Sequence, residues 1–154
     1  MTVRFIADKT EKKSISSKIL HTLPAWFGIP EATANYIEQS AEMPYIAAFD
    51  GNDPIGFLTI NETSHAAAEI YVMAVLPQYH RKGTGKALIN SCVTYCKDKG
   101  YTLLHVKTLD SSHPDEGYEK TRRFYTAMGF LPLETMKELW GEDNLCLVMV
   151  KPLN

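Results

Sequence analysis

The chain has 154 residues, 45% of them hydrophobic and 22% charged, and a formal net charge of −2. That length suffices for one hydrophobic core without disulfide or metal staples, and no biased tract argues for disorder. The near balance of charge excludes a global pull toward nucleic acid or anionic lipid, and no apolar run approaches the roughly twenty residues of a membrane helix.

Cys92, Cys96 and Cys146 are odd in number and lack the paired spacing of a zinc site or a disulfide framework, which fits a reducing compartment. The first residues, Met1-Thr2-Val3-Arg4, reach Asp8-Lys9 too soon for a signal-peptide core. The expectation is one soluble, cytoplasmic domain over 1–154 with no metal, no nucleic-acid partner and no membrane partner.

Val3 to Ala7 predicts a first strand, and Glu11 to Leu23 a helix with Ile15, Ile19, Leu20 and Leu23 on one side, stopped by Pro24. Pro30 suits the first turn of a second helix running to Ser40, because its missing N–H is not needed there. Tyr45 to Phe49 and Pro54 to Ile60 flank the turn Asp50-Gly51-Asn52-Asp53 and predict a hairpin. The run Glu69 to Leu76 is rich in β-branched residues and ends at Pro77, as a central strand does.

A glycine-bearing loop then opens into a helix whose apolar stripe is Leu88, Cys92, Tyr95 and Cys96, with Gly100 as its stop. Tyr101 to Leu109 predicts a strand parallel to the previous one, since a helix separates them. A helix from Tyr118 to Met128, stopped by Gly129, and strands at Phe130 to Leu133 and Leu145 to Val150 close an α/β pattern.

The chemical signal is concentrated in Pro77-Gln78-Tyr79-His80-Arg81-Lys82-Gly83-Thr84-Gly85-Lys86. A glycine turn feeding a helix N-terminus makes successive N–H groups and the positive end of the helix dipole converge, which suits a diphosphate. Gly83 and Gly85 let the backbone approach, and Arg81, Lys82, Lys86 and a protonated His80 add positive charge. Neither the triphosphate loop nor the three-glycine dinucleotide fingerprint fits this spacing. A solvated basic turn that merely caps a helix is the bland alternative.

A second element, Phe124-Tyr125-Thr126-Ala127-Met128-Gly129-Phe130, follows the next strand. With the loop it resembles the GNAT superfamily of N-acetyltransferases, whose loop reads Arg or Gln, two variable residues, Gly, one variable residue, then Gly or Ala. The family's later helix ends in an aromatic or Leu, Tyr, three residues and Gly-Phe. The order of elements over nearly the whole chain is also similar to that family, which implies an α+β fold with a mixed sheet of about six to seven strands flanked by about four helices. The chain departs from the pattern at His80, where Arg or Gln is usual, at Arg81, where Gly is common, and at Tyr118 and Thr121, where Asn and Ala are frequent.

The resemblance implies acetyl-CoA as cosubstrate and a primary amine as acceptor, on a small molecule or peptide. It implies that His80, Arg81, Lys82, Gly83, Thr84, Gly85 and Lys86 bind the diphosphate, that the main chain of Met73, Ala74 and Val75 pairs with the pantetheine and polarises the thioester carbonyl, and that Tyr118 lies along the cofactor arm. Tyr125 is then the acid that protonates the departing thiolate; spacing alone favours a core tyrosine on an apolar helical stripe, and the family motif reverses that preference. Glu69 is the candidate base, with an exposed strand-end glutamate as the alternative, and His65, His113 and Glu116 are weaker candidates.

Trp26, Phe27 and Tyr36 are placed either to line an acceptor pocket or to fill the core. A homodimer is plausible. The competing function from another class is an acyl-CoA-binding sensor without turnover; a nucleotide-phosphate binder using the glycine loop is a second.

Overall fold

The computed structural model describes residues 1–112, 116–141 and 143–154, without the side chains of Ala25 and Glu116. In chain order the elements are β1 (Thr2–Phe5), α1 (Lys9–Leu20), α2 (Pro24–Phe27), α3 (Pro30–Ser40), β2 (Tyr45–Asp50), β3 (Asp53–Glu62), β4 (Ala67–Val75), a 3-10 turn (Pro77–Tyr79), α4 (Thr84–Asp98), β5 (Leu103–Leu109), α5 (Glu116–Ala127), β6 (Leu131–Met136) and β7 (Cys146–Pro152). The seven strands form one mixed sheet in the order β1-β2-β3-β4-β5-β7-β6. The order of strands and long helices is the one the sequence predicts. Contacts group the chain into two compact units, Met1–Asn61 with Ile70–Tyr95, and Glu62–Glu69 with Cys96–Asn154.

In the first unit, Asp8 caps α1 by accepting from the N–H of Glu11 at 2.8 Å, which satisfies one of the orphan donors of the first turn. Its apolar side seats Ile15, Ile19 and Leu20 in the core. The predicted stop at Pro24 is instead the first residue of the one-turn helix α2, because proline is as well suited to opening a helix as to ending one. The β2–β3 hairpin closes through Gly51-Asn52, with Asp50 opposite Asp53 and Gly51 in the left-handed region at φ 60°. Beneath it, Tyr45 stacks on Phe57 at 5.2 Å and its hydroxyl meets Ser16 Oγ at 2.7 Å. Burial raises the pKa of this phenol well above its ordinary value.

In the second unit, β5, β7 and β6 are antiparallel neighbours, with Lys107 opposite Val148 and Leu109 opposite Cys146. Helices α4 and α5 both end the way their glycines predict. Gly100 has φ 87°, the N–H of Tyr101 donates to the carbonyl of Cys96 (2.9 Å), and that of Gly100 to Lys97 (3.0 Å). At the end of α5, Phe130 N–H reaches the carbonyl of Tyr125 (3.0 Å) and Gly129 N–H that of Thr126 (3.0 Å), with Gly129 at φ 93°. Both are Schellman caps.

The spacing Tyr125, three residues, Gly129-Phe130 therefore has a local physical cause. The carbonyl of Tyr125 is the acceptor of the cap, Gly129 supplies the left-handed turn, and the buried Phe130 ring packs against Tyr125 with centroids 5.3 Å apart. Lys151 completes the terminus by donating to the carbonyl of Met128 at 2.8 Å, adding positive charge at the negative end of the helix. A Cβ on Gly129 would lie 2.7 Å from the Lys151 ammonium nitrogen. Gly129→Ala is accordingly expected to lower stability by about 1–2 kcal/mol, read as a fall of a few degrees in thermal melting.

Candidate active site

In β4, the alternation of a strand puts Glu69, Tyr71, Met73 and Val75 on one face and Ala68, Ile70, Val72 and Ala74 on the other. The second set is buried, while Tyr71, Met73 and Val75 are half-buried. The backbone of β3 comes close at Gly56, where a Cβ would sit 3.2 Å from the carbonyl oxygen of Ala74 and 3.3 Å from Leu88. Glycine there leaves the end of β4 tight against its neighbour.

The loop after β4 is shaped by two left-handed residues, Arg81 at φ 62° and Gly83 at φ 84°. The carbonyl of Gly83 accepts the first helical hydrogen bond of α4, from Ala87 N–H at 3.0 Å. Gly83 is thus the N-cap, and the N–H groups of Thr84, Gly85 and Lys86 have no acceptor within the helix. Left-handed turns running into a helix N-terminus aim main-chain donors at one place, an arrangement that suits an anion. Arg81, Lys82, Gly83 and Lys86 are exposed, whereas Thr84 is buried and anchors the first turn.

His80 makes two contacts in the structure. Its Nε2–H donates to the carbonyl of Val75 at 2.7 Å, and the ring meets Trp26 edge-on at 6.2 Å. The imidazole therefore ties the loop back to the end of β4. Tyr79 braces the other side, its hydroxyl donating to Asp50 Oδ2 at 2.6 Å, which raises the pKa of the phenol. Sequence reasoning missed this brace, since nothing in the spacing of Asp50 and Tyr79 signals a contact.

Trp26, Phe27 and Tyr36 are all half-buried. Phe27 packs edge-on to Tyr36 at 5.8 Å, and Tyr36 lies 5.4 Å from Tyr71 of β4. The aromatic residues of α2 and α3 thus join Tyr71 in one row within the first unit.

Glu69, Tyr118 and Tyr125 belong to the second unit. Tyr125 is buried and packs against Phe124 (5.5 Å) as well as Phe130; Tyr118 is half-buried on α5. Glu69 is not an exposed strand-end residue: it is 5% exposed and its carboxylate accepts from the ammonium of Lys107. Lys107 and the neighbouring His105 lie two residues apart on one face of β5 and are half-buried. Both escaped notice in the sequence, because in an alternating strand they read as ordinary outward polar positions.

His105 Nε2 is 3.0 Å from Thr63 Oγ1. The Thr63 hydroxyl already donates to the carbonyl of Ala67 (3.1 Å), so His105 is the donor. Burial holds the pKa of His105 below its ordinary value. His65 is an exposed loop residue, and His113 and the side chain of Glu116 lie outside the described residues. Among the described residues there is no group of three or more His, Cys, Asp or Glu able to hold a metal ion, and no helix is long and apolar enough to cross a membrane.

The acetyltransferase (GNAT) family model matches residues 14–130, so the chain belongs to that family and is an acetyltransferase. No curated protein matches it in sequence. Among solved structures it is similar to aminoglycoside 6'-acetyltransferase type Ii, with a TM-score of 0.78 and 20% identity, over 100% of this chain and 98% of that one. It is similar to an aminoglycoside 6'-N-acetyltransferase complexed with coenzyme A, with a TM-score of 0.76 and 17% identity over 100% and 98%. The ribosomal-protein-S18-alanine N-acetyltransferase from Escherichia coli gives 0.77 and 16% over 99% and 95%. At these identities the neighbours share the fold.

Proposed function

We propose that this protein moves an acetyl group from acetyl-CoA to a primary amine of a small molecule or peptide, by direct attack on the thioester, with the whole chain acting as one catalytic domain. The observation that carries this is the loop itself: left-handed Arg81 and Gly83 opening into α4 with three helical N–H groups free of intrahelical acceptors. A diphosphate fits such donors, and one of the structural neighbours is a complex with coenzyme A.

In this scheme the main chain of Gly83 to Lys86 grips the diphosphate, with the cations of Arg81, Lys82 and Lys86 adding charge attraction. His80 acts by holding the loop in place. The N–H groups near Met73, Ala74 and Val75 polarise the thioester carbonyl, whose oxygen gains charge as the amine attacks. The amine proton passes to Glu69 through water as the new C–N bond forms, and collapse of the tetrahedral intermediate then breaks the C–S bond while the phenol of Tyr125 protonates the departing thiolate. Tyr118 contacts the cofactor arm. The row Phe27, Tyr36 and Tyr71 borders the acceptor. Cys92, Cys96 and Cys146 are buried and in no disulfide, which supports a cytoplasmic setting.

The test is a thiol-release assay with acetyl-CoA and separate amines: an aminoglycoside, a polyamine and a peptide with an N-terminal alanine. Amine-dependent release of coenzyme A is the expected result. Binding of acetyl-CoA with no release in any case would make the protein a sensor.

A further inference from the structure

The one ion pair that buries a carboxylate among those of the described residues is Lys107 with Glu69, whose side chains are 32% and 7% exposed. Removing a carboxylate from water is unfavourable, and an apolar pair at the same place would serve the fold as well or better. A buried ionised pair that the fold does not need points to chemistry. Two further observations give it direction. Glu69 lies on β4, the strand whose main chain at Met73 to Val75 the proposed function assigns to the thioester. The pair is also buried unevenly: the Glu69 side chain is enclosed, while the Lys107 side chain is only half-buried.

We infer that Lys107 is a positioning residue for the transfer reaction: it fixes the Glu69 carboxylate in one orientation and supplies the counter-charge that lets an anion work in an enclosed place. The inference rests on Glu69 being the base. Lys107 exchanges no proton itself; the amine proton goes to Glu69 through water. Among the described residues, titratable groups that face Glu69 include Lys107 and His105 of β5 and Cys146 of β7. Burial lowers the pKa of His105 and raises that of the Cys146 thiol, and Lys107 is the cation paired with the carboxylate.

The experiment is a double-mutant cycle on the full chain, measuring thiol release with acetyl-CoA and saturating ethanolamine, or a better acceptor from the amine screen. Lys107→Met is expected to lower kcat about tenfold while the KM for acetyl-CoA stays within about twofold; Lys107→Arg, which keeps the charge, restores most of the rate. On a Glu69→Gln background, Lys107→Met should add no further loss, because the two act as a unit. The Glu69→Gln, Lys107→Met double variant carries no buried charge, so it stays measurable if Lys107→Met alone folds poorly. An equal loss in both backgrounds, or an Arg variant as slow as the Met variant, overturns the role of Lys107. A Glu69→Gln enzyme with the native rate instead removes Glu69 as base, and the inference falls with it.

Discussion

Tyr125→Phe is expected to lower kcat by about 10²- to 10⁴-fold, the range of a positioned general acid, with acetyl-CoA affinity nearly unchanged. The substitution is well suited to the question. The Tyr125 ring is buried against Phe124 and Phe130, and its carbonyl is the acceptor of the α5 cap. Phenylalanine keeps the packing and the cap and removes one O–H. A phenol, ordinarily near pKa 10, stays protonated at neutral pH and is comparable in strength to an alkyl thiol, so it can give its proton to a departing thiolate. Single-turnover rates and calorimetry with acetyl-CoA separate the two effects. An unchanged kcat would leave Tyr125 as the core tyrosine that spacing alone favours.

The elements that the sequence made legible are those with a local cause. Asp50 to Asp53 closes a hairpin because a two-residue turn with glycine sets the register. Gly100 and Gly129 end their helices because only glycine adopts the left-handed cap without strain. The helix of α4 shows its buried stripe, Leu88, Cys92 and Cys96, in the periodicity alone, though Ile89 also joins it. Less legible was anything decided by partners distant in sequence. Pro24 reads as a stop but opens α2, since the choice depends on how the chain packs beyond it.

The candidate site divides the same way. Gly83 and its helix were visible as a turn feeding an N-terminus, and the conformations of Arg81 and Gly83 give that turn its shape. His80 was visible as a residue but not in its bond to Val75, five residues back. Lys107 was hidden altogether: its significance lies in a carboxylate 38 positions away. A cation alternating in a strand carries no sign in the sequence that its outward face is covered.

Gly83→Val should raise the Kd for acetyl-CoA at least about tenfold, or about 1.4 kcal/mol, with the fold intact. A Cβ at Gly83 would meet nothing within 4 Å, so the penalty is not a clash. It comes from φ 84°, which a β-branched residue scarcely adopts. The exposed loop is free to escape that strain by rotating, and rotation turns the N–H groups of Thr84, Gly85 and Lys86 away from their common target. Arg81→Gly is the counterpart: it relieves the left-handed strain at φ 62° and deletes one charge. If the main chain makes the grip, Arg81→Gly holds acetyl-CoA within a few-fold of the native affinity while Gly83→Val does not. Calorimetry on the two variants decides the matter. A Gly83→Val protein with native affinity would mean that the diphosphate is held elsewhere, and an Arg81→Gly protein that loses binding would shift the grip from backbone to side chain.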